Sequence, residues 1–120
     1  MSDTHFQKEP PVGSRLYHFK STDEKRIEQI VNADEVQINH LVLPQGEKVP
    51  EHYSNSNVYL IVVKGTMTIT LEGEPRKHLR GDILFVPYHT RMLIENEERE
   101  TLEFFVVKAP HPERYRQSLA

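Results

Sequence analysis

The chain has 120 residues, 37% of them hydrophobic and 28% charged, as is typical of a soluble globular domain. A domain of this length buries roughly two thirds of its unfolded surface, so it can form a core without covalent or metal cross-links. The sequence contains no cysteine, which excludes disulfides, thiolate metal sites and a cysteine nucleophile. The 15 Lys and Arg residues are outnumbered by 18 Asp and Glu residues, giving a net charge of −3, so the chain lacks the overall positive field of a nucleic-acid-binding protein.

The sequence predicts a cytoplasmic protein that binds neither membrane nor nucleic acid. The first residues, Met1 to His5, lack the basic and apolar pattern of a secretion signal. The longest apolar run, Val58 to Val63, has six residues, whereas a bilayer-spanning helix needs about 20.

Both ends of the chain read as peripheral to one central domain. We expect an N-terminal arm or edge strand over residues 1–20, because its first part is polar and contains Pro10-Pro11 and Gly13. Residues 21–108 form the expected barrel domain. Residues 109–120 form a polar tail with one helical turn near 113–117.

The central domain consists of short β-type runs separated by turn residues. The clearest is Thr66–Leu71, where Met67, Ile69 and Leu71 alternate with threonines, a pattern typical of a half-buried antiparallel strand. The other predicted strands are Glu35–Leu43, Val58–Val63, Ile83–Val86, Arg91–Glu95 and Thr101–Lys108. Strands at this spacing, with glycine and proline between them, predict an all-β sandwich or barrel.

One segment, residues 22–33, has two interpretations. Ser21 to Glu24 fits a helix capping box, and Ile27, Ile30 and Val31 have helical spacing. The same residues also read as a strand that turns at Asn32-Ala33-Asp34 into the next strand. We favour the strand, because a lone helix of about ten residues is marginal without packing.

Two spaced sets of residues resemble the two motifs of the cupin family. Gly46, His52 after five residues, and Gly65 after the strand Val58–Val63 resemble the first motif. Gly81, Pro87 after five residues, and Asn96 resemble the second motif. The resemblance extends from about Glu35 to Lys108. It implies an all-β, single-domain, cupin-type conical β-barrel (a double-stranded β-helix of two antiparallel sheets) with a pocket inside, and a homodimer.

Metal-binding cupins hold a divalent cation with three histidines and one glutamate from these motifs. By position, the first histidine is His52, the second falls on Ser54, the glutamate on Val58 and the third histidine on Met92. Serine hydroxyl and methionine thioether are poor ligands for hard divalent metals, and valine is none. The resemblance therefore implies a degenerate site, and no cofactor is expected. His52, His89 and His40 are the residues from which a non-standard metal site would have to be built.

We expect the barrel to hold a ligand pocket lined by a mixed apolar and polar set, and His52 to be the catalytic residue if there is one. The expected pocket residues are His52, Ser54, Asn57, Val58, Tyr59, Met67, Phe85, His89 and Met92. A histidine can act as a general base without metal when an acid orients it. Glu51 and Glu95 are the candidates for that role. Arg80 and Arg91 could supply charge to an acidic ligand, although solvated surface arginines are the commoner case.

Three functions fit these features. The first is a cupin that binds a small organic molecule without metal. The second is an enzyme, either a metal-independent isomerase or epimerase with His52 as base, or an oxygenase-like metalloenzyme with an unusual ligand set. The third is a ligand-free structural or regulatory dimer. The sequence does not choose between catalysis and binding.

Overall fold

The structure, a computed structural model, describes residues 11–119, and almost all of its regular elements are strands. A short 3-10 turn, Pro11–Gly13, comes first. The strands are β1 Arg26–Asn32, β2 Gln37–Leu43, β3 Lys48–Tyr53, β4 Val58–Lys64, β5 Thr66–Leu71, β6 Glu74–Leu79, β7 Ile83–Val86, β8 Arg91–Glu95 and β9 Leu102–Lys108. One helix, α1 Pro112–Ser118, follows them. No helix within 11–119 is long and apolar enough to cross a membrane.

The strands form two antiparallel sheets that pack face to face. The larger sheet has the order β1-β2-β9-β4-β7, and the smaller has the order β3-β8-β5-β6. The pairs β1–β2 and β5–β6 are consecutive in the chain, whereas the other neighbours are distant in it, as when β9 lies between β2 and β4. This arrangement confirms the all-β double-sheet expectation.

The hydrophobic core lies between the sheets, as the alternation within the strands requires. Its members are Leu41, Leu43, Val58, Leu60, Val62, Met67, Ile69, Val86, Met92, Ile94, Leu102, Phe104 and Val106. On β4, Val58, Leu60 and Val62 are buried, while Tyr59 and Val63, which have the opposite parity, are exposed on the outer face. This parity fixes which side chains of each strand can reach an interior cavity.

The disputed segment is a strand, because Arg26–Asn32 pairs antiparallel with β2. The sequence did not predict β3 and β6 as strands. Both consist mainly of exposed polar residues, and each contains a proline, Pro50 or Pro75. The expected helical turn in the tail is present and lies within α1.

Candidate functional site

A cavity of about 140 Å³ lies between the two sheets at the end where β1 and β3 form the rim. Its lining residues are Ile27, Asn39, Leu41, Val49, His52, Met92, Ile94, Val106 and Lys108. The larger sheet supplies one wall through β1, β2 and β9, and the smaller sheet supplies the other through β3 and β8. The walls are mostly apolar, with three polar side chains among them.

His52 has a defined ring orientation in this cavity. Its Nδ1 lies 2.9 Å from the carbonyl oxygen of Pro50. Because a carbonyl only accepts, Nδ1 carries the proton and donates, which leaves Nε2 as the basic nitrogen of the neutral ring. The orienting group is therefore a backbone carbonyl, not Glu51 or Glu95. Glu51 instead lies 3.6 Å from the Arg91 guanidinium.

Asn39 and Lys108 are the other two polar groups. The Asn39 side-chain oxygen is buried and has no hydrogen-bond partner within residues 11–119. Burial lowers the pKa of Lys108 below its ordinary value. The sequence analysis did not select either residue.

The four positions that hold metal in metal-binding cupins do not fit a metal here. The Ser54 hydroxyl donates to Pro87 O at 2.6 Å and accepts from Thr90 N at 2.8 Å, so its role is to close a loop. Val58 is a fully buried core residue, and Met92 is the cross-strand neighbour of His52. Of these four positions, only His52 offers a nitrogen or oxygen ligand to the cavity, and one imidazole does not hold a divalent ion.

The three histidines of the non-standard metal hypothesis lie in three different places, so they cannot form one site. His40 is fully buried on the outer face of the larger sheet, where its Nε2 lies 2.6 Å from Glu103 Oε2. Its ring also packs against Phe19 and Phe105. Within residues 11–119, no three His, Cys, Asp or Glu side chains are grouped to hold a metal ion.

His89 lies outside the cavity, in a second and more open groove of about 310 Å³. Its ring stacks on Tyr53 with centroids 4.7 Å apart. Its backbone has a φ of +64°, which places it in the left-handed region of a tight loop. The far side of this groove is formed by Pro112, Glu113 and Arg116 at the start of α1.

Of the expected pocket residues, the structure brings only His52 and Met92 together in the cavity. Met67 is a closed core residue. The Asn57 side-chain oxygen accepts from Tyr88 N at 3.1 Å. Tyr59 and Phe85 form a cross-strand pair that is exposed on the outer face, with ring centroids 5.1 Å apart. These positions correct the expectation that those four side chains, together with Ser54, Val58 and His89, face the cavity.

The sequence gives only a weak indication that Asn39 and Lys108 face the interior. Asn39 shares strand parity with Leu41, and Lys108 shares it with Phe104 and Val106. Alternation groups such residues on one face but does not say which face is inside. The packing of the two sheets supplies that information, because Leu41 and Val106 are buried in the core between them.

Two facing antiparallel sheets with a cavity at one end define the class of double-stranded β-helix proteins. Residues 39–108 match the family model described as a cupin domain. The protein MJ0764 of Methanocaldococcus jannaschii is 53% identical over 102 residues, which cover 83% of this chain and 88% of that protein. The chain therefore belongs to the cupin family.

Solved structures agree with this assignment. The MJ0764 crystal structure, described as an RmlC-like cupin with a double-stranded β-helix fold, gives a TM-score of 0.84 at 50% identity and covers 88% of this chain and 98% of its own. A double-stranded β-helix protein of Klebsiella pneumoniae gives 0.70 at 17% identity, covering 82% and 91%, and shows likeness of fold alone. The polyketide synthase protein TcmJ of Streptomyces glaucescens is 37% identical over 60 residues, or 49% of this chain and 40% of TcmJ.

Proposed function

We propose that this protein binds a small organic molecule in the cavity between its sheets and does so without the divalent metal of metal-binding cupins. The observation that carries the proposal is the cavity itself. Six of its nine lining side chains are apolar, and three polar groups converge among them. A concave, mostly apolar site with a few placed polar groups is the usual form of a small-molecule site.

The cavity volume limits the size of the ligand. A cavity of about 150 Å³ is enough to hold benzene, and this one measures about 140 Å³. Drug-sized ligands need pockets of about 300 Å³ or more. The expected ligand is therefore a small metabolite, and its apolar part occupies the space between Leu41 and Ile94.

The side chains at the former metal positions support a metal-independent role. Val58 and Met92 make that centre apolar, and the Ser54 hydroxyl is already engaged by two backbone groups. The cytoplasmic location and the homodimer stay predictions of the sequence.

A thermal-shift and calorimetric screen of small organic molecules tests the proposal. Val49→Phe fills the cavity from β3, whereas Val63→Phe adds the same bulk on the outer face of β4 and serves as the matched control. We expect ligands that bind the wild type and Val63→Phe but not Val49→Phe. A screen with no such ligand would favour the ligand-free dimer instead.

A second candidate function is a metal-independent isomerase or epimerase with His52 as its base. The observation that favours it is the Pro50 contact, which leaves Nε2 unprotonated in the neutral ring. In heavy water, butanone should exchange its acidic C–H protons faster with the wild type than with His52→Gln. His89→Gln, altered outside the cavity, is the control. Equal exchange rates in all three proteins would remove this function.

A further inference from the structure

The cavity contains a cation for which the described chain provides no anion. Lys108 lies at the end of β9 and lines the cavity. No carboxylate of residues 11–119 lies within ion-pair distance of its amine. Burial lowers the pKa of Lys108 because it opposes the charged form. A half-buried ammonium without a counter-ion is unfavourable, so an anion from outside the described chain would stabilise it.

The strand register explains why the anion is missing. Lys108 on β9 lies directly opposite Val58 on β4. Directly opposed side chains have Cβ atoms about 4.5–5.5 Å apart, close enough for a carboxylate at position 58 to pair with the lysine. Position 58 is where the first cupin motif carries its glutamate. Because this chain has valine there, the ammonium has no carboxylate on the adjacent strand.

Asn39 lies near Lys108 on the same wall. Lys108 pairs with Gln37 on β2, and Asn39 pairs with Val106 on β9, so Asn39 and Lys108 are diagonal neighbours. Diagonal neighbours lie about 7–8 Å apart. A small bound molecule can therefore reach both groups at once. The buried Asn39 oxygen, which has no partner among the described residues, is the second group in this wall that needs one.

We propose that the ligand is a short organic acid whose carboxylate binds the Lys108 ammonium and whose apolar body fills the cavity toward Met92 and Ile94. The inference rests on the proposed function and specifies the chemical class of the ligand. A charge-assisted hydrogen bond in a partly desolvated site is stronger than a neutral one. The lysine supplies the positive charge in a cavity that keeps one of the four usual metal-ligand residues, His52, and a hydrogen-bond donor on the ligand satisfies Asn39.

A matched pair of probes tests the charge. Isovalerate and its neutral amide, isovaleramide, share one apolar body and differ in the anion. Calorimetry should show tighter binding of isovalerate to the wild type. Lys108→Met should weaken isovalerate roughly ten- to a hundredfold, the range for one lost hydrogen bond to a charged group, and leave isovaleramide within about threefold. Lys48→Met, altered at an exposed lysine of β3, should match the wild type.

The pH dependence of isovalerate affinity distinguishes a Lys108 that binds through its charge from one that only occupies volume in the cavity. Isovalerate affinity should fall as pH rises through the lowered pKa of Lys108, because the neutral amine no longer attracts the carboxylate. Lys108→Arg, which stays charged, should keep its affinity to higher pH. The other side chains that face Lys108 have no ionisable group. They are Gln37 and Asn39 on β2, Val58 on β4 and Met92 on β8. His52 on β3 is the other titratable side chain in the lining, so the profile is repeated in His52→Gln.

The stability of the ligand-free variant gives a third readout. Since burial lowers the pKa of Lys108, the unfolded chain binds more protons between the folded and unfolded pKa values, and stability rises with pH across that window. At a pH below that window both states carry the charge, so the fold bears the full desolvation penalty. Lys108→Met should therefore raise the Tm of the free protein at such a pH, whereas loss of a purely structural lysine would lower it.

The outcomes distinguish this inference from the function on which it rests. If both probes bind in the cavity with equal affinity, or if Lys108→Met binds isovalerate like the wild type, the anion assignment is overturned and the cavity still binds small molecules. If neither probe binds, the acid assignment fails, and the broader screen with Val49→Phe decides the function of the cavity. Lys108→Gln serves as the variant if Lys108→Met fails to fold.

Discussion

The side chain of Asn96, in the second cupin motif, connects the end of β2 to the loop between β8 and β9, so its substitution should destabilise the whole fold. It is 1% exposed. Its Nδ2 donates to Leu43 O at 2.8 Å and to Glu100 O at 2.9 Å, and its Oδ1 accepts from Glu98 N at 2.9 Å. The backbone of Asn96 also accepts from Gly46 N in the first motif at 2.8 Å.

The magnitude follows from these three side-chain bonds. Each hydrogen bond contributes roughly 0.5–1.5 kcal/mol net, so Asn96→Ala should lower the free energy of unfolding by about 3 kcal/mol. Asn96→Asp keeps the shape but places one carboxylate oxygen, in the place of Nδ2, against the carbonyls of Leu43 and Glu100. Because both N–H donors are replaced by an acceptor in a buried site, its loss should be at least as large.

Urea unfolding followed by circular dichroism measures this loss, at one fixed protein concentration because dimerisation would add to the apparent stability. The slope against urea should not change, and the midpoint should fall. Asn55→Ala, altered at an exposed neighbour of Ser54, should stay within about 0.5 kcal/mol of the wild type. An Asn96→Asp variant as stable as the wild type would refute the assignment of these bonds.

Three further predictions concern the rest of the fold. Gly65→Ala should cost about 3 kcal/mol or more, because its backbone φ is +79° and the new Cβ would meet a carbonyl oxygen at 2.5 Å; Gly46→Ala, equally strained but with open space, should cost about 1 kcal/mol in the same urea titration. Glu103→Gln should lower stability by roughly 1–2 kcal/mol, since it removes the charge from the buried bond to His40, and an unchanged midpoint would contradict this. Deleting residues 1–20, whose described part exposes apolar side chains, should reduce the mass measured by light scattering to that of a monomer; an unchanged mass would show that the arm does not hold the dimer.

The sequence predicts the strands that carry core residues well and the two mainly exposed strands, β3 and β6, poorly. The residues of β5 alternate between apolar and polar because one face packs in the core, whereas β9, which lies between β2 and β4, is an almost continuous apolar run. In contrast, β3 and β6 are mainly exposed, so they lack that pattern, and their pairing with β8 and β5 depends on contacts distant in the chain. Local residue patterns contain little of this information.

The candidate site could be predicted only in part for a related reason. His52 and Met92 are found because motif spacing places them on strands that pair with each other. His40 and Leu41 are adjacent and both buried, since Phe19 packs against His40 on the outer face. When both faces of a strand are buried, the sequence shows no difference between an apolar inner face and a polar outer face. The inward-facing residues of β2 and of its neighbour β9 could therefore not be identified, and Lys108 was missed.

The most direct test of the central claim is NMR of the protein labelled with ¹³C at its methionine methyl groups. Met92 lines the cavity, whereas Met67 lies in the closed core and serves as an internal control. On titration with isovalerate, the Met92 signal should shift and saturate while the Met67 signal stays in place, and Mn²⁺ added instead should leave the Met92 signal unbroadened. A Met92 signal that does not shift with isovalerate and is broadened by stoichiometric Mn²⁺ would contradict a metal-independent site for an organic ligand.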